Sequence, residues 1–245
     1  MRKYLYISYI LVFLSCHEEV INEYSYDEYM SDGWEAFEYK NWPYGKELFR
    51  TGMDQATQNQ NIAEAFSGLG WIYLYEANEL SPISSNDNLR NALRDSAGTE
   101  FNNALLEGSS NIDLSVWTDV LSGFSYDAVY KSDKFLSEYY NLTFSDPSKL
   151  DSMVVYSDLA LAKTDTLLSL NPNYVFRYDE CLNKNYLRIL RAQIYFNLEE
   201  NTKMFDELNL LTEQYQCNNY VNDMEDAIRC IALAFSNQCS KLTSP

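Results

Sequence analysis

The feature that most limits what this chain can fold into is a small residue that recurs with an aromatic residue one helical turn away. Gly70 is followed by Tyr73, Gly123 by Tyr126 and Ala192 by Tyr195, and upstream Gly33 stands between Tyr29 and Ala36. Residues three or four apart share a helix face, so each pair makes a notch with a ring beside it, and a second helix can approach closely there. Residues suited to that second helix follow at a fixed distance. Gly45, Phe49 and Gly52 begin twelve places after Gly33, and Met204, Leu208 and Leu211 begin twelve after Ala192. In the middle of the chain the spacing stretches. Ala97, Phe101 and Ala104 begin 27 places after Gly70, and Ala160, Thr164 and Leu167 begin 37 after Gly123. The middle units therefore carry insertions of about 15 and about 25 residues.

Composition agrees with helices joined by short turns. Eight Gly and five Pro in 245 residues is well below average usage, while 46% hydrophobic residues suffice for a buried core. The periodicity predicts helices near 24–40, 43–56, 61–79, 87–107, 113–139, 147–170, 183–198, 201–216 and 220–238. Ser145 or Asp146 before Pro147 is suited to cap a helix N-terminus, and Asn171-Pro172-Asn173 is suited to end that same helix.

The best-formed unit, Phe66-x-x-Leu69-Gly70-x-x-Tyr73, resembles the first helix of the tetratricopeptide (TPR) repeat, and the other units resemble it more loosely. The resemblance implies an all-α fold, a right-handed α-solenoid of degenerate TPR-like helix pairs with two insertions and a C-terminal capping helix. A helical bundle of another kind is the alternative architecture. In the TPR family one face of each first helix lines a concave groove. With the small residue as the eighth place of each repeat, that face collects Trp34, Phe37, Trp71, Tyr75, Trp117, Phe124, Tyr186 and Phe196, rimmed by Asp27, Glu38, Glu64 and Asp127. Open rings of this kind would suit a peptide, a basic partner segment or a stacked sugar. The competing expectation is that the inserted residues fold back and bury them.

Met1-Arg2-Lys3 followed by the apolar run Tyr4 to Leu14 has the layout of an export signal. Eleven residues of helix rise only about 16 Å, against about 30 Å for a hydrocarbon core, so no membrane span is expected in the mature chain. Phe13-Leu14-Ser15-Cys16 resembles a bacterial lipobox, with Phe13 where that family usually has Leu or Val. The resemblance implies a signal peptide over 1–15, lipidation of Cys16, a tether over 16–24 and one helical domain over 25–245, exported and held on a bacterial membrane by its lipid. An ordinary signal peptide is the alternative. Cys181, Cys217, Cys230 and Cys239 are an even set that an oxidising compartment would allow to pair in any of three ways, or to remain buried thiols. No CxxC or CxxH spacing supports a zinc site.

Charge and motif content narrow the function. With 18 Lys and Arg against 36 Asp and Glu, the net charge of −18 offers nothing to a phosphate backbone, so no nucleic-acid partner is expected. His17 is the only histidine and lies beside the proposed anchor, which leaves catalysis by a Ser-His-Asp, Cys-His or HExxH set without its base. Phosphate-cradling Gly motifs are absent, and Asn86-Asp87-Asn88 lacks the Gly and distal Glu of a calcium loop. No cofactor or metal is expected. The reading is a non-enzymatic, membrane-tethered scaffold for an envelope protein or peptide. Its alternatives are a glycan-acting enzyme built on a carboxylate pair, for which Asp27-Glu28, Asp179-Glu180 and Glu199-Glu200 are candidates, and a carbohydrate-binding helical lipoprotein.

Overall fold

Three of the described helices begin where the sequence supplies a side-chain cap. The computed structural model describes residues 24–81, 83, 85–108, 112–141, 146–211 and 223–236, and these are mostly helical. They form α1 (Tyr26–Glu38), α2 (Trp42–Gln55), α3 (Asn59–Glu79), α4 (Asp87–Glu107), α5 (Leu114–Asn141), α6 (Pro147–Leu170), α7 (Lys184–Asn197), α8 (Asn201–Asn209) and α9 (Met224–Ser236). A short hairpin, β1 (Val175–Phe176) and β2 (Asp179–Asn183), lies between α6 and α7. Ser25 caps α1 reciprocally: its hydroxyl accepts from the Glu28 amide and its own amide donates to the Glu28 carboxylate. Asp146 caps α6 by accepting from the Ser148 amide, with Pro147 in the first turn. Asn183 caps α7 by accepting from the amides of Asn185 and Tyr186.

The two units with undisturbed spacing share one turn. Lys40, seven places after Gly33, has φ 59°, and Glu199, seven after Ala192, has φ 60°. In both turns the next amide reaches back past this left-handed residue: Asn41 donates to the Ala36 carbonyl and Glu200 to the Tyr195 carbonyl, each at 2.8 Å. This closure satisfies carbonyls that the helix end would otherwise leave open. The stretched units differ because their helices are longer. The inserted residues continue α3 and α4 past the crossing, and α5 and α6 further still, where Ser132 and Ser157 hydroxyls pair at 2.9 Å and the Phe135 and Tyr156 rings stack. At the other end α8 stops at Asn209, shorter than expected, and residues 212–222 lie outside the described part. So do 1–23, and with them His17, the expected signal peptide, the expected lipidation site Cys16 and nearly all of the expected tether.

Packing follows the notch and ring logic. Phe49 of α2 is fully buried between α1 and α3: a Cβ added at Gly33 would come within 2.8 Å of its ring, and one at Gly68 within 2.4 Å. Phe101 of α4 sits in the same way between Gly70 of α3 and Gly123 of α5, at 2.5 and 2.2 Å. The most extensive contacts join α5 to α6, α3 to α4 and α1 to α2, and α2 with α3 and α7 with α8 follow equally. Odd-numbered helices also touch the next odd-numbered helix, from α1·α3 through α7·α9. Ala192, Met204 and Leu208 close the far end in a second cluster with Ala227 and Cys230 of α9.

Candidate functional site

The face formed by α1, α3 and α5 is filled by the hairpin rather than by the insertions. Tyr174, Phe176 and Leu182 are fully buried against it. The Phe176 ring stacks on Trp71 at 4.3 Å, and Tyr178 stacks on Trp34 at 3.8 Å and 9°. Polar contacts fix the hairpin at both ends. Tyr75 donates to Asp179 at 2.7 Å, while Tyr174 and Arg177 both donate to Asp119 on α5. The expectation of open rings is corrected accordingly. Trp34, Phe37, Trp71, Tyr75, Phe124 and Tyr186 are core residues, Trp117 is half-buried, and Phe196 alone of the eight is exposed, at 39%. Burying these rings contributes on the order of 2 kcal/mol each, which keeps the hairpin seated.

One part of the expected rim remains open. Beside the Trp34–Tyr178 stack lies a cleft of about 510 Å³, within the usual range for ligand sites. Tyr26, Asp27, Ser31, Trp34, Glu35 and Glu38 of α1, Glu64 of α3 and Tyr178 of the hairpin line it. Helical spacing puts Asp27, Ser31, Glu35 and Glu38 on one side of α1, and the close α1–α3 approach brings Glu64 opposite. Tyr26 donates to the Asn61 carbonyl at 2.8 Å, which locks α1 to α3. Burial and the neighbouring Glu64 carboxylate push the Tyr26 phenol well above its ordinary value; burial raises Tyr178 to about 12. Both rings are neutral walls. Among the described residues no Lys or Arg lines the cleft. Arg177 lies 3.9 Å from Glu64 and is committed to Asp119 at 3.0 Å. Asp27, Glu38, Glu64 and Trp34 are therefore brought together as the sequence suggested, and Asp127 is elsewhere. Tyr26, Ser31, Glu35 and Tyr178 were missed; the alternation Tyr174, Phe176, Tyr178 was the available signal for the last.

Buried carboxylates occur elsewhere, each with partners. Burial raises Asp119 to about 7 against the opposing pull of Arg177, and burial raises Asp133 to about 6 while Gln193 and Asn197 donate to it. Asp127, also raised by burial, is held by Lys131 and Arg94. Among the candidate pairs, Glu28 caps α1, Asp179 anchors the hairpin through Tyr75 and the Cys181 amide, and Glu199 forms a turn. No described contact sets two carboxylates face to face in a cleft. Among the described residues no group of His, Cys, Asp and Glu could hold a metal ion, and no helix is long and apolar enough to cross a membrane. Cys181 and Cys230 are disulfide-bonded; Cys217 and Cys239 lie outside the described residues. Compared with known protein families, with curated proteins and with solved structures, the chain matches none.

Proposed function

We propose that this chain is a membrane-tethered, TPR-like lipoprotein of the cell envelope, a non-enzymatic α-solenoid that holds a basic segment of a partner protein in the acidic cleft of its first helix pair. The observation that carries the reading is the cleft itself: four carboxylates and three aromatic rings around an open space, with no Lys or Arg among the described residues that line it and Arg177 near Glu64 held mainly by Asp119. A Lys or Arg side chain entering it would meet Asp27, Glu35, Glu38 and Glu64 with its charge and the ring edges with its methylenes. The repeated turn at Lys40 and Glu199 and the notch packing of Phe49 and Phe101 support the repeat reading. The lipobox-like Phe13-Leu14-Ser15-Cys16 supports tethering, and the disulfide-bonded cysteines suit an exported chain.

Trp34 and Trp71 are poor probes, because truncating either opens the core. The informative variant is Glu35→Lys with Glu38→Lys, which reverses charge on exposed positions. Partner capture from detergent-solubilised native membranes should fall sharply in that variant and weaken with salt, since exposed charges are screened beyond about 8 Å at physiological ionic strength. Capture unchanged by the reversal would refute the cleft. Mass spectrometry of the mature N-terminus tests the anchor, with a diacyl or triacyl mass on Cys16 expected and an unmodified later residue contradicting it.

A further inference from the structure

On the far side of α5 from the hairpin, a second cleft of about 350 Å³ opens between α4, α5 and α6. It exists because α4 carries Gly98 there. A Cβ at Gly98 would have one heavy atom within 4 Å outside its own turn, Asp127 Oδ2 at 3.9 Å, whereas a Cβ at Gly70 or Gly123 would run into Phe101. The floor holds a charge array. Lys131 Nζ lies 2.9 Å from Asp127 Oδ2 and 3.1 Å from Asp95 Oδ1, and Arg94 Nη1 stands behind, 3.5 Å from Asp127 Oδ1. Within the floor the two cations balance the two carboxylates, and Lys163 Nζ lies 5.0 Å from the centroid of the Phe124 ring. Hydrogen-bonding capacity is left over. An ammonium has three donors, of which these contacts take two, and a carboxylate oxygen that accepts one bond can accept another. Thr99 donates to the Asp95 carbonyl, which leaves its oxygen able to accept, and Asn102 offers both a donor and an acceptor. Phe124, Tyr156 and Leu159 supply an apolar wall.

From this juxtaposition, we infer that the α4–α5–α6 cleft binds a neutral polyhydroxylated ring, a single hexose unit, with one hydroxyl donating to Asp127 Oδ2 while its neighbour accepts from Lys131. Adjacent donor and acceptor at 2.9 Å match a vicinal diol, whose hydroxyls both give and take hydrogen bonds. The C–H face of the ring packs on the apolar wall. A volume at the low end for small-molecule sites has room for one ring rather than a chain.

The test is saturation-transfer NMR and calorimetry on the purified full chain with D-glucose, D-galactose and N-acetylglucosamine, beside glucosamine and glucuronate as charged analogues. At least one neutral sugar should bind saturably with millimolar affinity, and its charged analogues at least about tenfold more weakly. Gly98→Leu, which fills the cleft while removing a helix-weakening Gly, should abolish binding with the thermal midpoint unchanged or raised. Asn102→Ala should weaken binding without a change in midpoint. No saturable binding by any of the three neutral sugars, tighter binding of a charged analogue, or full binding by Gly98→Leu would each overturn the assignment. The charge-reversed Glu35→Lys, Glu38→Lys variant should keep sugar binding intact, which separates this cleft from the acidic one.

Discussion

Gly123→Ala adds one methyl group, and its effect tests whether ring-in-notch packing holds the helices together. The new Cβ would lie 2.2 Å from Phe101 Cζ and 2.5 Å from Cε2, far inside contact distance. Phe101 has nowhere to retreat: it is fully buried, and its Cε1 is 2.5 Å from where a Cβ on Gly70 would stand. Relief therefore requires α5 to move away from α4, and overpacking of this kind costs about 1–3 kcal/mol. Replacing Gly by Ala in a helix interior returns up to about 1 kcal/mol, so the two effects oppose each other and the clash is larger. A net loss of about 1 kcal/mol corresponds to a fall of about 2–4 °C in thermal midpoint for a chain of this size. Gly98→Ala is the internal control, since its Cβ enters open space and should raise the midpoint by about 2–4 °C. Circular dichroism melts of both variants decide the matter. A Gly123→Ala protein as stable as the parent would refute the packing argument, and adding Phe101→Leu should restore part of the loss if the clash is with that ring.

The hairpin and the buried carboxylates give two more predictions. Phe176→Ala leaves a void under Trp71 and should destabilise the fold by about 3–5 kcal/mol in urea titration, whereas an added flap would lose little. Stability should also fall as pH rises from about 4 to about 7. In that window the unfolded chain has already released the protons of Asp119 and Asp133, near 3.9, while the native chain retains them to about 7 and about 6. The native state then binds more protons than the unfolded one, which is the sign for declining stability. Urea midpoints should be higher near pH 5 than near pH 8, with a smaller difference in Asp133→Asn; a higher midpoint near pH 8 contradicts the assignment.

The parts of the fold legible in the sequence were those with a local signature. Gly33, Gly70 and Gly123 announced helix crossings because only a missing Cβ admits a ring at that distance, and Pro147 and Asn171 marked helix ends for equally local reasons. The hairpin was not legible in the same way. Its strands are two and five residues long, and its pairing shifts register between Val175 and Phe176, too little for alternation to stand out. Its place is set by distant partners: Trp34, Trp71, Tyr75 and Asp119 come from three helices. For the same reason the sequence could assign the eight rings to one face without revealing that the face is closed. The acidic rim survived as a cleft because the hairpin tip ends on Trp34 with the Tyr178 ring, which forms one wall and leaves Asp27, Glu35 and Glu38 facing the open space.

The most direct test of the proposed role is photocrosslinking in native membranes from a photoreactive amino acid placed at position 35, with position 106, an exposed site on α4, as the control. A partner adduct formed from position 35 and not from 106, mapped to a Lys- or Arg-rich segment and lost in high salt, is the predicted result. Adducts equal at both positions, or a crosslinked segment without basic residues, would contradict a cleft that works by recognising positive charge.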